Sequence, residues 1–144
     1  MKSAEITDAV LEKMSDFDFV RINFAGGDMV GHFGELEPTV VAMEAIDLQL
    51  QRLAKKVDEL GGIMLITADH GNAEELFDTT THQAKTSHTT NLVPCYFYDN
   101  TEFSQHYRLN NFPDAGLTNI AATVADLLIS EHSEHWRDSL IELK

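Results

Sequence analysis

The sequence predicts an α/β fold with a mostly parallel sheet flanked by helices, and three observations carry that prediction. Short runs rich in apolar residues, FDFVRINF at 17–24, IMLIT at 63–67 and LVPCYFY at 92–98, have the length and composition of buried strands. Between the first two lies a long stretch whose apolar residues recur at steps of three and four, the spacing of a helix with one buried face. The first two runs each open into a polar turn containing glycine, and the third follows one. Strand, helix and strand in this order imply parallel neighbours joined by right-handed crossovers.

Residues 3–16 have helical spacing, with Ile6, Val10 and Met14 on one side and Ser3 as the expected cap. The run 17–24 is expected as a buried strand ending at the Gly26-Gly27 turn. Pro38 then suits the first residue of a helix, and Met43, Ile46, Leu50, Leu53, Val57 and Leu60 mark its inner face. Gly61-Gly62 should end it. Residues 63–67 form a second buried strand leading into Asp69, and 92–98 a third, whose Pro94 points to an edge or a strand start. Residues 118–129 close as a helix with Ile120, Val124, Leu127 and Leu128 inward. Neither an internal repeat nor a low-complexity tract is visible.

A chain of 144 residues fits one domain that buries about two thirds of its unfolded surface. No apolar run approaches the roughly 20 residues that span a bilayer, so no membrane partner is expected. The N-terminal MKSAEITDAVLEKM is amphipathic and acidic, unlike a secretory leader, and Cys95 is the single cysteine. Both features suit a cytoplasmic location, with Cys95 a small core residue. A net charge of −14, from 24 acidic and 10 basic residues, argues against a nucleic-acid partner. It also leaves only Arg21 and Lys85 near the polar turns, too few to grip a doubly charged phosphate ester.

The polar turns carry the chemistry. Asp28 and His32 lie in AGGDMVGH, Asp69 and His70 in LITADHGN, and His88 in KTSHTTN. Aspartate and histidine are hard-to-borderline ligands that suit Mn²⁺ or Zn²⁺. In an open α/β sheet, sites form beyond the carboxyl ends of strands, where the first two clusters fall. His88 precedes its strand, so residues 73–90 must travel back across the same edge. Three such clusters aimed at one place suggest a two-metal phosphoryl-transfer centre. If the backbone is extended at Asp69-His70, neighbouring side chains diverge and cannot easily hold one ion together, so a bimetal centre would either split the pair or use it at a junction turn. Asn72 and Glu74 are candidates to orient His70, with helix capping an equal alternative for Asn72, and Asn91 is either a support for the turn after His88 or a plain turn residue. His82, His106, His132 and His135 lack such settings and are expected at the surface, while Trp136 is expected to be a packing anchor.

These motifs also resemble a known family. INFAGGDMVGHFG, LITADHGNAEEL and TSHTTNLVPCYFYD, in that order, are similar to three motifs of cofactor-independent phosphoglycerate mutases, and GLTNIAATVADLL resembles their closing helix. The resemblance implies the C-terminal part of an alkaline-phosphatase-like α/β sandwich that takes part in interconverting 3- and 2-phosphoglycerate through a phosphoserine. It implies Asp28, His32 and His88 as ligands of one Mn²⁺, a nearly complete site, with Zn²⁺, Co²⁺ or Mg²⁺ as alternatives. Asp69 and His70 would belong to a second, incomplete site.

Within the motifs Gly26-Gly27 stands where Asn-Pro is usual, Phe33 replaces a small or hydroxyl residue, and Leu92 a frequent proline. None removes a ligand. In the family the serine nucleophile, an early metal-binding aspartate and the substrate-holding domain all precede the DMVGH motif, and only 27 residues precede Asp28 here. Ser3 and Ser15 do not match the serine motif. The expectation is therefore a metal-binding segment without its own catalytic nucleophile. It would be a cut or truncated mutase, one half of a split metallophosphatase, or a non-catalytic module. Its partner would be a complementing N-terminal half or another copy of the chain, and phosphoglycerate would bind in the complete enzyme.

Overall fold

The computed structural model describes residues 2–110 and 112–144. They form two compact units, one ending at Tyr98 and the other running from Asp99 to Lys144. No described helix is long and apolar enough to cross a membrane.

In the first unit, helix α1 (Ser3–Lys13) runs into a 3-10 turn at Met14–Asp16. Lys2, not Ser3, holds the capping position, and no side chain caps it. The fully buried residue of α1 is Thr7, whose hydroxyl donates to the Ser3 carbonyl at 2.9 Å and so is satisfied without water. Ile6, expected inward, is 39% exposed. Helix α2 (Gly26–Gly31) is a short turn of GGDMVG. Helix α3 (Leu36–Leu60) supplies the core of this unit through Leu53 and Val57, while Met43 and Leu60 remain exposed. Pro38 falls in the first turn of α3, where its missing N–H has no partner to lose. Gly61 ends the helix in the left-handed conformation, φ 65°, and Gly62 N–H donates to the Val57 carbonyl at 2.9 Å.

Strand β1 (Met64–Thr67) pairs with β4 (Cys95–Tyr98), with Met64 opposite Tyr98 and Thr67 opposite Cys95. Between them β2 (Phe77–Asp78) and β3 (Gln83–Ala84) make a small hairpin. In the second unit β5 (Tyr107–Leu109) pairs with β6 (Ile141–Leu143), beside helix α4 (Ile120–Leu127). Ile141, Ala122 and Thr123 are its most buried residues, and the Thr123 hydroxyl accepts from Leu140 N–H while donating to the Asn119 carbonyl.

The α/β class holds, and several sequence expectations need correction. Residues 17–24 form no ladder. Phe17 and Phe19 are 63% and 53% exposed, because a strand needs a partner backbone and the described residues offer it none. The ladders among the described residues are all antiparallel, and the parallel neighbours expected of 17–24 and 63–67 are not formed, since 17–24 joins no ladder and β1 pairs with β4. The third strand begins at Cys95 rather than Leu92, which is 95% exposed. Cys95 lies exposed on that strand and is not a core residue. Helix α4 ends at Leu127, and Ile129, expected within it, has φ 53° and stands in solvent. Its buried face is Ala122, Thr123 and Ala125, with Leu128 outward. Trp136 is 45% exposed, a loose anchor at most.

Candidate metal centre

All three polar turns meet in the first unit. Helix α2 carries Asp28, and His32 follows one turn later, so both side chains leave the same face. The bend after β1 presents Asp69 and His70. The turn before β4 brings in His88, and a backbone bridge between Gly71 and Thr89 ties these last two turns together, with Thr89 N–H donating to the Gly71 carbonyl at 2.9 Å.

The donor atoms converge on one oxygen. Asp28 Oδ1 lies 3.1 Å from His88 Nε2, 3.2 Å from His32 Nε2 and 4.0 Å from His70 Nε2. His32 Nε2 and His88 Nε2 are 3.2 Å apart. The His70 and His88 rings stack at 3.7 Å between centroids and 19° between planes. Asp28, His70 and His88 also bring one donor atom each within 4.8 Å of one another. Asp69 stands at the rim, its side chain 84% exposed and its Oδ1 3.7 Å from His70 Nε2. The backbone bends at this pair instead of running extended.

These donors fit a divalent ion. An ion about 2.1 Å from each ligand sets neighbouring ligands about 3.0 Å apart in an octahedral array and about 3.4 Å apart in a tetrahedral one. The Asp28, His32 and His88 atoms stand 3.1–3.2 Å apart, between those limits. The imidazole of His32 is also set in the ligating tautomer. Its Nδ1 is 2.6 Å from the Thr86 carbonyl, which only accepts, so Nδ1 carries the proton and the Nε2 lone pair faces the cluster. His70 Nδ1 faces the Gly71 carbonyl at 3.3 Å, a weaker contact of the same sense.

Asn72 serves a different group from the one its sequence position suggested. Buried to 4% exposure, it donates Nδ2 to Asp28 Oδ1 at 2.9 Å, and so orients the aspartate rather than His70. Partial burial pushes the Asp28 carboxyl up, but the Asn72 amide and the three imidazoles outweigh it and hold the group below its ordinary value. Asn72 Oδ1 has no hydrogen-bond partner. It packs against Gly31, where a Cβ would come within 2.5 Å of it.

Glu74 accepts from Asn72 N–H at 2.6 Å, from Asn91 Nδ2 at 3.0 Å and from the Thr89 hydroxyl. Asn91 donates to Glu75 as well, so it joins two turns and is more than a turn residue. Lys85, one of the two cations near the motifs, is held by Glu75 Oε1 at 2.7 Å. Thr86 and Thr89 escaped sequence reasoning; their only signal was the hydroxyl-rich TSHTTN itself. His82, His106, His132 and His135 are all exposed, with His132 paired to Asp126 at 2.7 Å.

Known proteins carry the same arrangement of sequence. The chain is 38% identical over 156 aligned positions to the 2,3-bisphosphoglycerate-independent phosphoglycerate mutase of Trypanosoma brucei brucei, covering 99% of this chain and 28% of that protein. It is 39% identical over 142 positions to the enzyme of the same name from Moorella thermoacetica, covering 98% of this chain and 26% of that one. The chain thus spans about a quarter of the length of the curated relatives it matches. A crystal structure of Leishmania mexicana phosphoglycerate mutase at low cobalt concentration superposes on the whole chain with a TM-score of 0.86 at 35% identity, using 29% of its own length. The family model described as the metalloenzyme superfamily matches residues 1–132, and this chain belongs to that superfamily.

Proposed function

We propose that this chain is the metal-holding segment of a phosphoglycerate mutase, the glycolytic isomerase that interconverts 3- and 2-phosphoglycerate. The observation that carries the reading is the triangle of Asp28 Oδ1, His32 Nε2 and His88 Nε2, with edges of 3.1–3.2 Å. These three would hold one Mn²⁺, with Zn²⁺ or Co²⁺ suiting the same donors, and His70 and Asp69 would begin a second, incomplete site beside it. A bound divalent ion supplies Lewis acidity toward phosphoryl oxygens and neutralises their charge.

The residues of this chain do the positioning. Thr86 fixes the His32 tautomer, and Asn72 holds Asp28 so that one carboxylate oxygen faces the imidazoles. A phosphoryl-accepting nucleophile is a different matter. Of the residues before Asp28, Ser3 lies within α1 and Ser15 within the following 3-10 turn, neither beside the centre in sequence nor in a motif. Of the two cations near the motifs, Lys85 is held by Glu75, which leaves Arg21, exposed in the segment before α2, too little positive charge to grip a phosphate ester. These 144 residues by themselves therefore hold metal without turning over phosphoglycerate.

Exposed Phe17, Phe19, Phe33 and Leu36 favour a second polypeptide surface over this unit, whether the remainder of a mutase, the complementary half of a split metallophosphatase or another copy of the chain. The test couples purified chain and Mn²⁺ to enolase with 3-phosphoglycerate as substrate. No turnover by the chain alone, and turnover on adding the remaining part of a relative as a separate polypeptide, is the expected result. Turnover by the chain alone that His88→Ala abolishes would overturn it.

A further inference from the structure

Beside the Gly71–Thr89 backbone bridge, the two turns that carry His70 and His88 are joined through one carboxylate that no ligand assignment uses. Glu74 Oε2 accepts from Asn72 N–H on the His70 turn, while Oε1 accepts from the Thr89 hydroxyl and from Asn91 Nδ2 on the His88 turn. Thr89 is the neighbour of His88, and Asn72 follows His70 by two residues. The histidines have little else to hold them. The bonds of His88 run to Asp28 and His32 inside the cluster, and those of His70 outside it consist of the 3.3 Å contact to the next carbonyl. Yet the two rings stack closely, at 3.7 Å. The room for this connection is made at Gly71, where a Cβ would collide with both the Thr89 hydroxyl and the Glu74 carboxylate.

We propose that Glu74 is the positioning residue of the centre: by clamping the turn of His88 to the turn of His70 it sets where His88 Nε2 stands, and thereby how tightly a divalent ion is held. The second half of this statement rests on the metal reading above; the first half does not. A charged carboxylate accepting three hydrogen bonds is stronger and more directional than a neutral amide in its place. Glu74→Gln turns one acceptor atom into a donor that faces the Asn72 N–H or the Asn91 amide, and Glu74→Ala removes the clamp. Thr89→Val deletes one of its partners at constant shape and leaves the Gly71–Thr89 backbone bridge in place.

Two readouts test it. In the metal-free chain, the ring-current shifts and ring-to-ring nuclear Overhauser effects of His70 and His88 report the stack directly. Wild type should show them, Glu74→Gln and Thr89→Val, which each keep part of the clamp, should weaken them, and Glu74→Ala should lose them. In parallel, Co²⁺ titration followed by its visible ligand-field spectrum should show Kd weakened roughly ten- to a hundredfold in the same order, as for loss of a group that orients a ligand. An unchanged stack in Glu74→Ala and Thr89→Val, with Co²⁺ affinity within twofold of wild type, overturns the proposal. If Glu74→Ala fails to fold, Thr89→Val decides alone. Loss of the stack in a chain that takes up no Co²⁺ supports the clamp and sinks the metal reading. Co²⁺ binding that His88→Ala abolishes and the clamp variants leave untouched does the reverse.

Discussion

His88 Nε2 lies 3.1 Å from Asp28 Oδ1 although 60 residues separate them in the chain. A short helix after an extended segment delivers one, and a turn latched to the end of β1 delivers the other. The whole candidate centre follows from that meeting, because His32 shares the face of Asp28 and His70 stacks on His88.

Asn72 and Gly31 should behave as a coupled pair. A methyl group at Gly31 would meet Asn72 Oδ1 at 2.5 Å, and the buried amide would have to leave Asp28. Gly31→Ala is expected to destabilise the chain by about 1–3 kcal/mol, the usual range for overpacking. In an Asn72→Ala background the collision is absent and the same substitution should be nearly neutral. Urea unfolding of the four proteins measures the coupling; additive effects would show that the two residues do not press on each other.

Acid should loosen the clamp before it unfolds the helices. Burial pushes the Glu74 carboxyl up, but hydrogen bonds from Thr89, Asn91 and Asn72 hold it down at about 2 against an ordinary value of 4.5. A folded value below the unfolded one means stability that is complete above about 4.5 and lost as pH falls from there toward 2. Protection factors of the Asn72 and Thr89 amides, exchange rates taken relative to the intrinsic rate at each pH, should fall across that window in wild type. In Glu74→Gln they should be low throughout and independent of this titration. Identical profiles for the two proteins would contradict the assignment.

Gly61 offers a control remote from the centre. Its φ of 65° disfavours any side chain, and a Cβ there would meet nothing within 4 Å. Gly61→Ala should therefore lose roughly 1 kcal/mol through backbone strain alone, leaving divalent-ion affinity unchanged. Thermal unfolding measures the first effect and Mn²⁺ titration the second.

The centre was more legible in the sequence than the sheet was. Asp28, His32, His70 and His88 sat in short polar turns with no packing role to explain them, and such residues have few reasons to recur beyond function. Asp69 was legible as a neighbour of His70, but not its rim position, because the bend at the end of β1 depends on tertiary contacts. The residues that hold the histidines were harder to read. Asn72 looked equally suited to capping, and Thr89 carried no signal apart from its hydroxyl. Residues 17–24 and Cys95 failed for one reason: apolar composition reports that a segment favours cover, not what covers it. The expected parallel pairing of 17–24 with β1 failed because 17–24 joins no ladder, and alternation of elements along the chain does not specify which strands meet.

The most direct test is calorimetric titration of Mn²⁺ into wild type, His32→Ala and Gly61→Ala at neutral pH, repeated at mildly acidic pH, because protons compete with a metal for its ligands. The account predicts one ion per chain in wild type and in Gly61→Ala, affinity that falls on acidification, and binding lost or weakened by roughly a hundredfold or more in His32→Ala. Equal Mn²⁺ binding by wild type and His32→Ala would contradict it.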